Sequence, residues 1–415
     1  MNGAEAVNQN RSTSDAPVAL DLDRRAHIVY TSGTTGRPKG VVHTHAAVEA
    51  QVVDLVEAWG WRSSDRILHF LPLHHTHGIV NKLCCPLWCG ATVEFMPRYS
   101  PDAVWERLSL HLGTAMERPW ITVLMGVPTV YAQLIESYER MVSDGDVAGA
   151  AGARAGCKAI RLMVSGSAAL PISVLEKWEE ISGTVLLERY GMTEFAMALS
   201  NPLERSKRAP GYVGVPLPSV QVTVCAVPDE EDGSTSSMDP QAHVPVLAGE
   251  SGELRVKGAG VFREYLNKPE ATAETFDHDG WFMTGDIGRF DAEGRGYQIL
   301  GRASVDIIKS AGYKLSALEI ERAILEHKGV AEVSVVGVED EKWGQRVCAL
   351  VRLREGNAFR PADVEDTGLG WLKDWLGERV APYRVPSTML GVDSIPKNVM
   401  GKVNKKALAK EFFGA

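Results

Sequence analysis

Short apolar runs alternate with helical patterns along the first half of the chain, and this alternation restricts the fold more than any other feature. Between most runs, apolar residues recur every three or four positions, as in Ser100–Leu112 and Thr129–Val142. Strand–helix alternation predicts an α/β domain built on a mainly parallel sheet. The strand-like runs are Ile67–Leu73, Ala91–Met96, Ile121–Met125, Ile160–Ser165 and Val185–Arg189.

The pattern changes twice in the second half of the chain. After Gly211, short alternating runs with frequent Gly and Pro predict a β-rich subdomain. Beyond residue 302, strands at Val333–Val338 and Arg346–Leu353 and a helix at Ala317–Glu326 predict a small α+β unit. We therefore expect a disordered tail at 1–25, a large domain at 26–302 and a small domain at 303–415. The Gly/Ala-rich stretch Ser143–Gly156 predicts a surface loop.

Charge and hydropathy exclude several classes of function. The 415 residues carry a net charge of −9, so the basic surface that nucleic acid or anionic lipid requires is missing from the composition. No apolar run reaches the roughly 18 residues that a membrane-spanning helix needs. We expect no nucleic-acid partner and no membrane span, and an anionic substrate would need locally placed cations. The first 25 residues resemble neither a secretory signal nor a transit peptide.

The stretch Tyr30–Gly40, with the sequence YTSGTTGRPKG, has the composition of a phosphate-binding loop. Its glycines let backbone N–H groups approach an anion, its hydroxyls add donors, and its lysine adds positive charge. It is not a Walker A loop, because Gly40 and not Ser or Thr follows the lysine. A strand-like run precedes it and a helical pattern follows, so we expect the anion at a helix N-terminus. The candidate residues are Thr31, Ser32, Gly33, Thr34, Thr35, Gly36 and Lys39.

A second motif, Glu188–Glu194 (ERYGMTE), follows a strand-like run and carries groups suited to a nucleotide. Thr193 can donate to phosphate and Glu194 can hold Mg²⁺. Tyr190 can stack on a base.

Two more motifs lie further along the chain. Asp286, at the end of Gly280–Asp286, and Arg302 offer a carboxylate and a guanidinium to ribose hydroxyls. Lys402 ends the loop Pro396–Lys402, where a Gly-Lys pair suits a mobile cation that contacts phosphate.

The order and spacing of these four motifs closely resemble those of the adenylate-forming superfamily, which includes acyl-CoA synthetases, luciferases and adenylation domains that load carrier proteins. The resemblance runs from about Ala26 to the end of the chain. Four stretches are similar to malonyl-CoA synthetases in particular, above all to the mitochondrial animal form. They are Pro72–Gly78 (PLHHTHG), Val164–Pro171 (VSGSAALP), Leu187–Glu194 (LERYGMTE) and Val261–Pro269 (VFREYLNKP).

The resemblance implies a large N-terminal adenylating domain, a small C-terminal lid, and a reaction in two halves. A carboxylic acid attacks the α-phosphate of ATP, and the CoA thiol then displaces AMP from the acyl-adenylate. ATP, Mg²⁺ and CoA are the implied cofactors and co-substrates. Malonate, and methylmalonate beside it, is the implied acid. The mitochondrial matrix is the implied compartment, with the cytoplasm as the alternative.

The resemblance also implies roles for single residues. Thr31 to Lys39 hold the β- and γ-phosphates, and Thr193 and Glu194 serve the α-phosphate and Mg²⁺. Lys402 reaches the reacting oxygens until the lid rotates and brings Gly312 to a pantetheine tunnel. The hinge of that rotation is Ser304 or Asp306. Adenine and ribose are contacted by Gly166, Ser167, Ala168, Tyr190, Gly191, Asp286 and Arg302.

Arg189 is the candidate for acyl specificity, because a planar guanidinium suits the non-reacting carboxylate of a dicarboxylate. His77 is a second candidate on the opposite wall of the acyl site. Each has a simpler interpretation, which is a structural ion pair for Arg189 and a packing role for His77.

Three alternatives stay open. In the superfamily, a leading segment precedes the phosphate loop, and the residues before Tyr30 do not resemble it. A truncated, inactive form of the enzyme is therefore the first alternative. Loading of a carrier protein is less consistent, because Arg189 does not suit the ammonium of an amino acid. A zinc site would have a spacing unlike the usual zinc patterns; its candidates are His74, His75, His77, Cys84, Cys85 and Cys89.

Overall fold

The computed structural model describes residues 21–31, 38–109, 120–227, 239–354, 369–397 and 403–414. Its strands, in chain order, are β1 Arg25–Tyr30, β2 Gly40–Thr44, β3 Arg66–His69, β4 Thr92–Phe95, β5 Val123–Gly126, β6 Leu162–Ser165, β7 Leu187–Tyr190, β8 Leu199–Ser200, β9 Val215–Pro216, β10 Val220–Cys225, β11 Ser251–Gly258, β12 Glu264–Tyr265, β13 Phe282–Phe290, β14 Tyr297–Arg302, β15 Ile307–Ser310, β16 Tyr313–Ser316, β17 Val330–Asp340, β18 Gly344–Leu353 and β19 Thr388–Gly391.

The α-helices are α1 His45–Ala58, α2 Cys85–Trp88, α3 Pro101–Ser109, α4 Pro128–Ser143, α5 Val147–Ala159, α6 Ile172–Ser182, α7 Pro269–Ala273, α8 Ala317–Leu325, α9 Gly370–Gly377 and α10 Lys405–Phe413. A π-helix spans His77–Cys84, and short 3₁₀ turns lie at Arg205–Lys207 and Pro382–Arg384. None of the helices in the described part of the chain is long and apolar enough to cross a bilayer.

The largest sheet among the described residues has the order β4-β3-β5-β6-β7-β8-β9. Its strands from β4 to β7 pair in parallel, and β8 and β9 add an antiparallel edge. The predicted parallel α/β sheet is therefore confirmed. Because parallel strands point the same way, the ends of β5, β6 and β7 meet at one edge, where loops can hold a ligand.

Both faces of this sheet are buried, as parallel sheets require. Val123 and Met125 face α1 and pack in one core with Leu55. Leu124, between them, faces the opposite way and packs with Tyr131 of α4. The alternation of side chains along the strand thus feeds two separate cores. Together they fix the sheet edge on which the candidate residues stand.

A second, antiparallel sheet has the order β10-β11-β13-β14, and a small third sheet joins β1, β2 and β12. Their shared core contains Leu254, Val256, Phe262 and Phe282. This is the β-rich subdomain that the short alternating runs predict.

The small C-terminal domain is a sheet of order β16-β15-β18-β17, with β19 parallel to β18. Val335 packs under α8 and α9, whereas its neighbour Val336 packs under α10. The sheet is thus covered on both faces. The change of sheet along the chain falls between Arg302, which ends β14, and Ile307, which begins β15.

The loop expected at Ser143–Gly156 is wrong, since most of this stretch belongs to α5. The side chain of Asp146 caps the helix by accepting the N–H of Gly149 at 2.8 Å. Small residues at three-residue intervals, Ala150, Ala153 and Gly156, form the buried face. Tertiary packing against α3 outweighs the low helix propensity of the glycines.

The contact between α3 and α5 predicts an intolerance at Gly156. A Cβ there would lie 2.4 Å from the backbone carbonyl oxygen of Leu108, which cannot rotate away. We expect Gly156→Ala to lower the free energy of unfolding by about 1–3 kcal/mol. Urea unfolding followed by circular dichroism measures this change.

Gly377→Ala is the matched control, because nothing lies within 4 Å of a Cβ at this helical glycine. We expect it to change the free energy of unfolding by less than about 1 kcal/mol. Equal destabilisation by both variants would contradict the close α3–α5 contact.

Candidate active site

The phosphate-loop candidate connects two antiparallel strands. Tyr30 pairs with Gly40 in the β1–β2 ladder. The N–H of Thr31 donates to the Lys39 carbonyl at 2.9 Å, and the N–H of Lys39 donates to Oγ1 of Thr31 at 3.0 Å. The expected helix N-terminus is therefore wrong, because β-branched Val41 continues the chain as strand β2. Helix α1 begins only after Thr44, whose side chain caps it.

A buried histidine holds the backbone of the second motif. Nε2 of His43 lies 2.8 Å from the carbonyl oxygen of Thr193. On its other side, Nδ1 lies 3.1 Å from Nε2 of Gln51, which also donates to the Gly260 carbonyl at 2.6 Å. Because a carbonyl only accepts, His43 donates from Nε2 and accepts at Nδ1, which is a neutral tautomer. Burial lowers the pKa of His43 to about 4, and the neighbouring His27 lowers it too.

Glu194, the magnesium candidate, is buried and hydrogen-bonds to Tyr265 and Phe262. Its Oε1 accepts the hydroxyl of Tyr265 at 2.9 Å, and its carbonyl accepts the N–H of Phe262 at 2.7 Å. Nζ of Lys39 lies 4.5 Å from the ring centroid of Tyr265. Burial raises the pKa of Glu194, while Tyr265, Arg302 and Lys39 oppose that rise. The phosphate-loop lysine and the magnesium candidate therefore share one neighbourhood.

The ribose candidates are brought together as well. Asp286 on β13 is paired in register with Arg302 on β14. Its Oδ1 accepts from Nε of Arg302 at 2.8 Å, and its Oδ2 accepts the hydroxyl of Tyr190 at 2.7 Å. Burial opposes the charge on Arg302, but Asp286 outweighs it and raises the pKa of Arg302. The carboxylate thus joins the second motif to the third.

Arg189 is a buried cation with few hydrogen-bond partners. It is 3% exposed, its Nη2 donates to Oγ of Ser167 at 3.1 Å, and its Nε and Nη1 have no hydrogen-bond partner within the described ranges. No carboxylate among the described residues pairs with it. Burial lowers its pKa to about 9. Gly166 is required beside it, because a Cβ there would lie 2.7 Å from the guanidinium.

His77 lies near Arg189 and also lacks hydrogen-bond partners among the described residues. It is 5% exposed, and neither ring nitrogen has a hydrogen-bond partner in the described structure. Burial lowers its pKa well below the ordinary range, and the charge of Arg189 adds to this effect. A buried polar group without a hydrogen-bond partner lowers the stability of the fold. Two such groups beside each other therefore indicate a binding site for an anion.

The other candidate residues either lie outside the described residues or take no part in the contacts above. Ser32, Gly33, Thr34, Thr35, Gly36 and Lys402 lie outside the described residues. Gly312 lies in the turn between β15 and β16 of the small domain, with φ of +81°. Ala168 follows Ser167 in the loop after β6, and Gly191 approaches the backbone so closely that a Cβ would lie 1.8 Å from the Ala196 carbonyl. The zinc alternative finds no support, since no group of three or more ligating side chains occurs in the described ranges.

Sequence reasoning missed three residues of this neighbourhood. Tyr265 lies within the stretch Val261–Pro269, but nothing in that sequence predicts that its hydroxyl donates to Glu194. His43 and Gln51 sit in an ordinary strand and helix, and only the tertiary contact over 150 residues to Thr193 reveals their role. No periodicity or composition could have identified them.

Two family models together match most of the chain. Residues 2–266 match the model of the AMP-binding enzyme family, and residues 319–402 match that of the AMP-binding enzyme C-terminal domain. The chain belongs to the AMP-binding enzyme family. The adenylate-forming fold that the motifs imply, with a large N-terminal and a small C-terminal domain, is thereby confirmed.

Among relatives in this family, the mitochondrial malonate–CoA ligase ACSF3 of Mus musculus is 50% identical over 94% of this chain. The chain spans 65% of the length of that relative, which is less than two thirds.

Solved structures in the family agree with this grouping. ATP-bound MatB from Rhodopseudomonas palustris matches with a TM-score of 0.79 and 32% identity, over 95% of this chain and 69% of that one. A malonyl-CoA ligase with methylmalonyl-CoA and AMP bound matches with a TM-score of 0.57 and 36% identity, over 92% of this chain and 74% of that one.

The unpaired guanidinium leads to a prediction on stability. In Arg189→Met, an apolar chain of similar length replaces a buried cation that has no counter-ion among the described residues. We expect the free energy of unfolding of the free protein to rise by about 1–3 kcal/mol. Urea denaturation in the absence of ligands measures it.

Arg208→Met is the matched control, because Arg208 is also buried but donates to the carbonyls of Pro202, Val185 and Leu203. Removing it orphans those acceptors, so we expect a loss of about 1–3 kcal/mol. If the two variants lose stability alike, Arg189 is an ordinary structural arginine.

The buried neutral state of His43 predicts a pH dependence of stability. Its pKa is about 4 in the folded chain against the ordinary 6.5, so the unfolded state binds more protons between these values. Stability is therefore lost as the pH falls from 6.5 towards 4, by about 3 kcal/mol for this group. His43→Gln keeps a donor for the Thr193 carbonyl but does not titrate, so its stability should fall less over the same interval. Parallel pH profiles of the two proteins, measured by chemical denaturation, would contradict the prediction.

Proposed function

We propose that the protein is an AMP-forming acid–thiol ligase that activates malonate, and methylmalonate beside it, to the CoA thioester. The observation that carries the proposal is the buried, unpaired guanidinium of Arg189 beside the nucleotide residues of the same motif. The relatives support it, since the mouse protein is a malonate–CoA ligase. In the first half-reaction the acid attacks the α-phosphate of ATP, and in the second the CoA thiol displaces AMP.

The residues around Glu194 and Asp286 are proposed to hold ATP. Lys39 and the loop Thr31–Gly36 bind the β- and γ-phosphates, and Thr193 donates to the α-phosphate. Asp286 and Arg302 bind the ribose hydroxyls, while Gly166, Ser167, Ala168, Tyr190 and Gly191 border adenine. A single buried carboxylate beside a phosphate-binding loop suits Mg²⁺, which keeps few protein ligands when it binds a nucleotide. Glu194 would hold it, and the ion would neutralise charge on the phosphates.

The chemistry needs positioning and electrostatic stabilisation, with no nucleophilic side chain. Lys402, at the end of the small domain, is proposed to stabilise the oxygens that gain charge in the first half-reaction. Residues 303–415 are proposed to act as the lid that carries it, and Gly312 is proposed to line the path of the CoA thiol. Residues 26–302 form the proposed adenylating domain. By relation to the mitochondrial ligases, the proposed compartment is the mitochondrial matrix.

Arg189 is proposed to select the acid, with His77 beside it. A charge-assisted hydrogen bond contributes about 1.5–3 kcal/mol. At about 1.4 kcal/mol per decade, it gives roughly 10- to 100-fold preference for a dicarboxylate over acetate. Acetate presents no second carboxylate, so it leaves the guanidinium buried and unpaired.

Substrate-dependent exchange of pyrophosphate into ATP tests the proposal on the purified full chain. Wild type should exchange with malonate and far less with acetate. Arg189→Ala should lower kcat/KM for malonate roughly 10- to 100-fold and leave that for acetate nearly unchanged. The exposed Arg140→Ala, whose partner is the exposed Asp102, should change neither value. Equal losses for both acids in Arg189→Ala, or no exchange by wild type with any acid, would refute the proposal.

A further inference from the structure

The segment His77–Cys84 is a π-helix and not an α-helix. Its end shows the wider hydrogen bond, in which the N–H of Cys85 donates to the carbonyl of Val80, five residues earlier. Such i→i+5 bonding places residues four and five apart on the same face of the helix. His77 therefore shares a face with Asn81 and Lys82. π-helical segments are found frequently at functional sites.

The polar side chain of Asn81 is not explained by packing. It is fully buried, and neither the oxygen nor the nitrogen of its side-chain amide has a hydrogen-bond partner among the residues that the structure describes. A buried amide that makes none of its hydrogen bonds lowers stability, and a well-packed apolar residue would not. The amide therefore indicates a ligand that accepts from its NH₂ group.

Lys82 is a fully buried lysine. Its Nζ donates to the carbonyl of Met125 at 2.9 Å and lies 3.8 Å from the ring centroid of Phe70. No carboxylate in the described part of the chain pairs with it, and burial alone lowers its pKa well below the ordinary range. An ammonium has three donors, so the Met125 carbonyl leaves donors for another acceptor.

The groups around His77 are all cationic or neutral. After burial, the charges that lower the pKa of His77 come from Arg189, Lys82, His69 and His75, and no acid in the described part of the chain raises it. Lys82 also lowers the pKa of His69, whose Nε2 lies 3.0 Å from the carbonyl oxygen of Gly78. Met125, whose carbonyl accepts from Lys82, is the penultimate residue of β5 and pairs with Val164 on β6, the strand that leads to Gly166. The π-helix face and the Arg189 loop thus approach the same edge of the parallel sheet.

We propose that Asn81 and Lys82 are specificity-determining residues that bind the non-reacting carboxylate of the acid from the side opposite Arg189. This inference rests on the proposed function. The far carboxylate is then held between Arg189 on β7 and the π-helix face, with Lys82 supplying a second cation and Asn81 a neutral donor. A monocarboxylate of similar length leaves both buried cations without an anionic partner and the amide of Asn81 without an acceptor.

Two variants remove the polar heads and keep the volume. Lys82→Met retains the packed stem without the ammonium, and Asn81→Leu retains the branched shape without the amide. We expect the ratio of kcat/KM for malonate to that for acetate to fall about tenfold in Lys82→Met and about fivefold in Asn81→Leu. The fall should come from a higher KM for malonate. Malonate should also raise the melting temperature of wild type more than that of Lys82→Met.

Cys85→Ala is the control, because Cys85 is fully buried just beyond the π-helix and packs in the apolar core. It should lower stability and leave the malonate-to-acetate ratio unchanged.

The outcomes separate this inference from the proposed function. If wild type activates malonate and Lys82→Met keeps the wild-type ratio, the inference is overturned and the proposed function stands. Equal losses with both acids, together with a lower melting temperature, assign Lys82 a purely structural role and overturn the inference as well. If wild type activates no dicarboxylate, both proposals fail.

Discussion

The guanidinium of Arg189 lies inside the protein with no counter-ion in the described part of the chain, and the rest of the candidate site is built around that constraint. A cation in this position destabilises the free chain unless an anion arrives, because desolvation outweighs one hydrogen bond to a serine hydroxyl. The parallel sheet has to be well packed on both faces to hold it, and the two cores on either side of β5 provide this rigidity. Under the proposed function, the stability given up at this edge of the sheet would be recovered as affinity for the carboxylate.

Two successive residues of β7 relate the acyl site to the nucleotide site. Side chains alternate along a strand, so Arg189 and Tyr190 point to opposite sides. Arg189 contacts the loop after β6, while the hydroxyl of Tyr190 reaches Asp286 on the antiparallel sheet. One peptide unit therefore separates the group proposed for the acid from the group proposed for the nucleotide. This spacing is what an attack of the acid on the α-phosphate requires, since the two reactants must meet within a few ångströms.

The sequence was informative where the chemistry is local and uninformative where it depends on distant contacts. Periodicity predicted the parallel sheet, and the motifs predicted that Lys39, Glu194, Asp286 and Arg302 come together. The Gly/Ala-rich α5 and the β2 strand after the phosphate loop were mispredicted, because packing against α3 and pairing with β1 decide those segments. His43, Tyr265 and Lys82 carry no local signal, since their roles follow from burial and from partners far along the chain.

The contacts of the small domain favour Asp306 over Ser304 as the proposed hinge. Oδ2 of Asp306 accepts the backbone N–H of Arg302 at 2.9 Å, so the aspartate is fastened to the end of β14. Its other oxygen lies 2.6 Å from Nζ of Lys405, which also pairs with Glu321 at 2.8 Å. Lys405 stands three residues after Lys402 in the chain. A change of backbone conformation at Asp306 would therefore act directly on Lys405 at the start of α10, whereas the structure gives Ser304 no such connection among the described contacts.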